Sequence, residues 1–405
     1  MKKSNNQQLL KDNKHFCMAP WVHLSTWQTG DTYPCCAYDY ETPIGNVNQE
    51  GFKGVWNNEK MKELRLAMLA DKATYGCRKC FDYEKQGVFS YRHKMNNDYG
   101  HHIDSVEQTK EDGTVDNLNI AFFDVRFSNL CNMKCRSCGS HFSSRWAEDE
   151  EGKARVVEID YPHLWDEIEE ILPTVEEIYF TGGESLFMKQ HYDLLDRLIE
   201  LEHFPKLMYN SNASRLHLKD RHVKDYWKYF DDIIFGVSLD QVGDKANYTR
   251  HGQKWETVFE NLCWIRDNVP HVKIIPSPTI SVLNIMDIDK ILVCLYDNNL
   301  ASDYEINLNN LLVTPEYLSC TILPRHLKKQ AEKNIKKALD SLGKYPMNSS
   351  RLKNISARLE KIIEYMYSED NSHLILEFQE TTKKLDTIRN ENFAITFPEL
   401  KEIYE

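Results

Sequence analysis

From Leu118 onward, apolar positions fall into short runs separated by longer stretches of helical spacing. Ile120–Phe127, Glu177–Thr181, Lys206–Asn210, Asp232–Leu239, Val272–Val282 and Tyr304–Leu308 read as strands. His191–Leu201, Trp255–Asn268 and Met286–Asn298 read as helices. Strand–helix alternation predicts a parallel sheet with crossover helices, and six such units predict an open or partial barrel or a doubly wound sheet. Upstream, His15 to Arg92 is rich in aromatics, glycine and cysteine and holds one helical pattern, Glu59–Ala70, with Met61, Leu64, Met68 and Leu69 near one face. The pattern divides the chain into a loose polar tail (1–14), a cysteine-rich domain (15–94), a polar acidic linker (95–117), the alternating domain (118–325) and a charged, helical C-terminal extension (326–405) interrupted near Pro346.

Composition narrows the classes. The 405 residues are 41% apolar, enough for a packed core over two or three domains. No apolar run is long enough to span a bilayer, and Met1–His15 is polar with no signal segment, so the expectation is a cytoplasmic protein with no membrane partner. The formal net charge of −12 argues against nucleic acid as the main partner. In a reducing compartment the eleven cysteines are not expected as disulfides, and they are clustered: five between Cys17 and Cys80, three between Cys131 and Cys138. Cys263, Cys294 and Cys320 stand alone in apolar surroundings and read as small buried hydrophobes.

The segment Phe127–Ser140 follows the first alternating-domain strand, at the strand end where barrel enzymes place their sites. Cys131, Cys135 and Cys138 can ligate three irons of a cubane and leave the fourth iron open to a ligand. A zinc site is the rival, with His141 as a local fourth ligand. The second strand ends in Tyr179-Phe180-Thr181-Gly182-Gly183-Glu184, where two glycines permit close approach to backbone and the acid can accept from an ammonium group.

On these motifs, residues 118 to 325 resemble the radical S-adenosylmethionine superfamily, with its first-strand Cys-x3-Cys-x2-Cys and second-strand Gly-Gly-Glu. The resemblance implies a partial (β/α)6 TIM-like barrel of α/β class, a [4Fe–4S] cluster on the three cysteines, and S-adenosylmethionine chelated to the open iron. Gly182, Gly183 and Glu184 would lie near the methionine amino group. Tyr209-Asn210-Ser211-Asn212-Ala213-Ser214 is similar to the third-strand motif, which makes Asn212 a cofactor candidate. Val237-Ser238-Leu239-Asp240 with Arg250 and Gly252 resembles the fourth-strand segment, with Ser238 and Arg250 as candidates for the cofactor carboxylate. Ser137, before the third cysteine, departs from the aromatic residue often found there.

Cys17, Cys35, Cys77 and Cys80 could close a second four-ligand site, and spacing alone leaves iron–sulfur and zinc open. The Cys-x12-Gly-x4-Cys run through Gly30, followed by Cys77-x2-Cys80, resembles the SPASM auxiliary-cluster domain in its shortened twitch form. That likeness implies an auxiliary [4Fe–4S] cluster in a small α+β domain, here placed before the barrel rather than after it. Cys36 is either spare or takes the place of Cys35.

The resemblance implies an enzyme that cleaves S-adenosylmethionine reductively, using a flavodoxin- or ferredoxin-type electron donor, and abstracts hydrogen from a sugar-like small molecule or a peptide. The auxiliary cluster would accept an electron. Alcohol oxidation would need a base, for which Asp124, Asp240 and His251 at strand ends are candidates. The alternatives are a non-catalytic iron–sulfur or zinc protein and a transfer-RNA modifier, the latter disfavoured by the acidic charge.

Overall fold

The computed structural model describes residues 3–301 and 306–405. The chain forms two compact units, residues 1–130 with 156–208 and 229–232, and residues 131–155 with 209–228 and 233–405.

In the first unit the strand Phe122–Val125 lies between two parallel neighbours, His23–Thr26 and Glu177–Phe180. Phe122, Phe123 and Val125 are buried, as are Ile178 and Phe180, the apolar continuity expected of a parallel strand covered on both faces. The register sets Ser25, Asp124 and Tyr179 side by side. Asp31–Tyr33 then pairs antiparallel with His23–Thr26, and Gly45–Asn46 with Asp31–Tyr33. The first hairpin turns at Gly30, whose φ of +85° favours glycine and where a Cβ would come within 2.5 Å of Asn46 Oδ1.

Helix Val47–Trp56 kinks at Gly51 (φ 68°), and the Phe52 N–H freed by the kink donates to Glu167 Oε2 at 2.6 Å. Helix Glu59–Leu69 carries the predicted stripe and starts at Asn58, whose side chain accepts from Met61 N. Two expectations of irregular chain are overturned here. Lys3–Asp12 is helical, and the polar stretch after Arg92 holds helix Tyr91–Tyr99, closed by a Ser90/His93 capping box, and the 3₁₀ segment Gly100–Gln108. Polarity there marks solvated helical faces rather than loop.

In the second unit Ile233–Val237 and Val272–Pro276 pair in parallel, with helix Trp255–Asn268 as the crossover between them. The strand Lys206–Ser211 passes from the first unit into the second. Of the sixth predicted strand, Tyr304 and Glu305 lie outside the described residues, and Ile306–Leu308 is not in a strand. Cys-rich chemistry enters this unit as a two-residue antiparallel ladder, Lys134–Cys135 against Arg250–His251. The extension is helical as predicted: Arg325–Leu342 buries Leu327, Ala331, Ile335, Ala338 and Leu342, and Ser349–Ser368 buries Ile355, Leu359, Ile362 and Met366. Helix Ile375–Arg389 follows. Cys320 is buried as expected, but Cys263 and Cys294 are partly exposed, because the helices that carry them turn those positions toward the rim of their apolar stripes. Among the described residues, no helix is long and apolar enough to cross a membrane.

Candidate functional site

The cysteine loop is held from several sides within the second unit. Its backbone turns at Cys138 N–H, which donates to Cys135 O at 3.0 Å. Cys131 N–H donates to Ser144 Oγ at 3.3 Å, Ser143 Oγ donates to Met133 O at 2.6 Å, and Trp146 Nε1 donates to Cys135 O at 2.7 Å. Burial pushes the Cys138 thiol up to about 12 and raises the Cys135 thiol as well. Such thiols stay protonated unless a metal takes them as thiolates.

Arg250 sits against this loop. Its Nη1 donates to Asp240 Oδ2 at 2.7 Å, and its side chain is only 11% exposed. Its charge acts on Cys135 and Cys131, while its Nε is buried without a hydrogen-bond partner. A largely covered cation with an idle N–H beside Cys131 and Cys135 suits a carboxylate ligand. Asp240 is spent differently from the sequence expectation. It is 2% exposed, and its second oxygen accepts from Thr279 N–H at 2.8 Å, so both oxygens are engaged and it anchors Arg250. Ser238 N–H donates to Ser211 O at 2.9 Å, linking the third- and fourth-strand segments. Asn212 Nδ2 donates to Asn132 Oδ1 at 2.9 Å, and Asn132 Nδ2 donates to Ser214 Oγ at 2.9 Å. Thus Asn132, inside the cysteine loop, bridges to the Asn212 segment, a role its sequence position did not announce. His251 faces Glu391 of the extension, with Nδ1 at 2.7 Å from Oε1.

A second missed group is ionic. Arg136, between the second and third cysteines, is 3% exposed. Its Nη2 lies 2.5 Å from Asp386 Oδ1 and 2.6 Å from Glu391 Oε2, and its guanidinium carbon sits 3.7 Å from the Tyr248 ring centroid. Lys134 pairs with Asp149, which also receives Arg389 Nε at 2.8 Å. The C-terminal extension therefore grips the cysteine loop through partners about 250 positions away in sequence.

In the first unit, Gly182 (φ 114°) and Gly183 bring the second-strand turn onto the segment that leads into Cys131. Gly183 N–H donates to Ser128 O at 3.0 Å and Glu184 N–H to Leu130 O at 2.8 Å. A Cβ on Gly183 would lie 2.2 Å from Leu130 O. The close approach for which the glycine was expected is thus made by the chain's own backbone. Glu184 is 2% exposed, and Leu186 N–H donates to its Oε1. Asp124, the remaining base candidate, is fully buried, accepts from Ser25 Oγ at 2.7 Å and lies 3.5 Å from Arg126. Its Oδ1 makes no hydrogen bond.

The other cysteine set lines one pocket. Cys17, Cys35, Cys77 and Cys80 all line it, together with Pro34, Tyr38 and Arg92. Cys36 does not. Its thiol hydrogen-bonds Tyr91 and lies within reach of the Asp124 charge, and burial pushes it up to about 11. This favours Cys35 over Cys36 for the fourth position. Backbone N–H groups already point at the sulfurs, from Ala19 to Cys17 and from Arg92 and Tyr91 to Cys80.

Residues 125–292 match the family model described as the radical SAM superfamily. Residues 17–81 match the model of SPASM, an iron-sulfur cluster-binding domain. The chain carries a radical SAM domain preceded by a SPASM domain. The radical SAM domain brings a [4Fe–4S] cluster and S-adenosylmethionine as cofactors, and the SPASM domain an auxiliary iron–sulfur cluster. No curated protein matches the chain. Among solved structures, this radical SAM chain is similar to native anSMEcpe with bound AdoMet and Cp18Cys peptide (14% identity, TM-score 0.37, covering 54% of this chain and 58% of that one). It is also similar to Streptococcus suis SuiB bound to S-adenosylmethionine (14%, 0.39, 75% and 65%) and to SuiB bound to precursor peptide SuiA (14%, 0.34, 59% and 54%). The chain spans less than two thirds of the length of each.

Proposed function

We propose that this protein is an enzyme that cleaves S-adenosylmethionine reductively and abstracts hydrogen from an unactivated carbon of a peptide or sugar-like substrate, the auxiliary cluster accepting an electron afterwards. The observation that carries the reading is Arg250, a buried guanidinium with an idle Nε beside Cys131 and Cys135. When bound, the cluster and S-adenosylmethionine supply the radical chemistry. The chain's own work is to hold three thiolates, to offer Arg250 to the methionine carboxylate and to keep Arg250 fixed through Asp240. Four cysteines around the N-terminal pocket would leave no iron open there, which suits electron transfer rather than a second cofactor site. For a substrate that must lose a proton, Asp124 is the strongest of the three base candidates. Asp240 has both oxygens engaged and His251 is paired with Glu391, whereas Asp124 Oδ1 accepts no hydrogen bond and has only Arg126 Nη1 near it, at 3.5 Å.

The test is anaerobic reconstitution followed by reduction in the presence of S-adenosylmethionine. The expected result is 5′-deoxyadenosine, lost in Cys135→Ala while the auxiliary cluster remains visible by spectroscopy. Absence of 5′-deoxyadenosine with both clusters loaded overturns the reading in favour of a non-catalytic iron–sulfur protein. About eight irons per chain are expected, against about four irons and one zinc for the zinc alternative.

A further inference from the structure

Outside both cysteine sites, the first unit gathers three groups that neither domain accounts for. His101 and His102 are neighbours on the 3₁₀ segment Gly100–Gln108, and Glu176 directly precedes the strand Glu177–Phe180. Nε2 of His102 lies 2.7 Å from Glu176 Oε1, and Nε2 of His101 lies 3.0 and 3.1 Å from its two oxygens. Three ligand atoms, one from each residue, fall within 4.8 Å of one another. Adjacent residues on a 3₁₀ turn normally point apart. Here both imidazoles instead turn the same nitrogen to one carboxylate, with ring centroids 4.3 Å apart.

We propose that His101, His102 and Glu176 form a site for a divalent transition-metal ion of the zinc type, separate from both iron–sulfur centres. Two imidazoles and one carboxylate are a common donor set for such ions, with bonds of about 2.0–2.2 Å. Bonds of that length place neighbouring ligand atoms about 2.8–3.1 Å apart at octahedral angles and about 3.3–3.6 Å apart at tetrahedral ones. The 2.7–3.1 Å nitrogen–oxygen separations match the octahedral edge and need to open by only about 0.5 Å for the tetrahedral one.

Two further features point the same way. Asn119 Nδ2 lies 3.4 Å from His102 Nδ1, the nitrogen that faces away from the carboxylate. Turning that amide end for end would let its oxygen accept the Nδ1 proton that a metal-bound Nε2 requires, which is how outer groups orient metal-binding histidines. Glu176 is anchored by its backbone, its N–H donating to Ala121 O at 2.7 Å and its carbonyl accepting from Lys206 N–H at 2.9 Å. Lys206, whose N–H donates to the Glu176 carbonyl, does not compete for the carboxylate, because its Nζ pairs with Glu177 at 2.9 Å. His101 and Glu176 are exposed, so the remaining coordination positions open to water. The ion would fasten the segment between the SPASM and radical SAM matches to the entry of a sheet strand, a structural role rather than a catalytic one.

The experiment uses the holoenzyme, reconstituted anaerobically with both clusters and freed of loose metal, and titrates it with Zn²⁺ alone. The expected result is one zinc bound per chain by calorimetry and elemental analysis, with the iron count unchanged and the thermal midpoint raised. His102→Ala and Glu176→Gln, each checked for an unchanged cluster spectrum, should lose that zinc and the thermal shift, while His163→Ala, an exposed histidine elsewhere in the same unit, should keep both. Failure of wild type to bind zinc without losing iron overturns the proposal, as does equal binding by the variants. Formation of 5′-deoxyadenosine is not a readout here, so the fate of this site and that of the proposed reaction are decided separately.

Discussion

Replacing Arg136 by methionine removes the cation that joins the cysteine loop to the C-terminal extension. Methionine keeps much of the stem volume and can still lie on the Tyr248 ring, so the loss is chiefly one of charge. Two carboxylates, Asp386 at 5% and Glu391 at 17% side-chain exposure, would then face each other without it. Stranding a buried partner in this way costs about 3–5 kcal/mol. The low end applies, because Asp386 keeps three other donors: Tyr248 OH at 2.7 Å, Phe393 N–H at 2.7 Å and Tyr404 OH at 3.0 Å. A loss of about 3 kcal/mol lowers the thermal midpoint of a unit of about 200 residues by roughly 6–12 °C. Differential scanning calorimetry of the holoenzyme checks this, with hydrogen exchange over 375–396 to locate the change. Adding Asp386→Asn and Glu391→Gln to the methionine variant should recover part of the loss, since the stranded charges are gone. A midpoint shift under about 2 °C, or no recovery in the triple variant, would refute the claim that this pair of ion bridges holds the loop.

Four other expectations follow from the geometry. Cys35→Ser should cost the auxiliary cluster, read as iron content falling by about half, whereas Cys36→Ser should keep it, because only Cys35 lines the four-cysteine pocket. Gly183→Ala should destabilise the second-strand turn and suppress 5′-deoxyadenosine formation at least tenfold, since even a methyl group collides with Leu130 O; that amounts to about 1.4 kcal/mol or more. Asp124→Asn should leave 5′-deoxyadenosine formation intact but slow substrate turnover 10²-fold or more. Asp287 is pushed up by burial but held below its ordinary value by Lys245 and Lys290. A carboxylate with a depressed folded-state value contributes stability above its unfolded value of 3.8, lost as pH falls through the lower folded value. Asp287→Asn should therefore flatten the acid limb of a melting-temperature profile below about pH 4, and an unchanged limb would remove Asp287 from the account.

Sequence reasoning reached local features and stopped at distant ones. Helix Trp255–Asn268 was legible to the residue because its apolar spacing and flanking polar residues act within one segment. The cysteine sets were legible because metal ligands need fixed spacing on a turn, and Gly30 because its backbone conformation permits little else. Arg136 was not legible, since its partners lie in a helix and loop near the end of the chain. The engagement of Asp240 was not legible for the same reason, because Thr279 and Arg250, which occupy its oxygens, are tertiary neighbours. The helical character of Gly100–Gln108 was hidden by its polarity, since a segment covered on one side only needs few apolar positions, here Ile103 and Val106.

The parallel pairing of His23–Thr26 with Phe122–Val125 has a consequence for how the protein is made. His23 Nδ1 meets Phe122 O at 2.8 Å, and the two residues are 99 positions apart. The strand beside Cys17 and Cys35 thus has one open edge until a hundred more residues have left the ribosome. All four pocket cysteines are synthesised before that edge can close, and Cys131 follows only a few residues after it. The order of synthesis gives iron a period of access to the N-terminal thiols while their scaffold is still unfinished. A chain cut at the end of the SPASM match, residue 81, would keep every one of those thiols and lose the strand that completes their sheet.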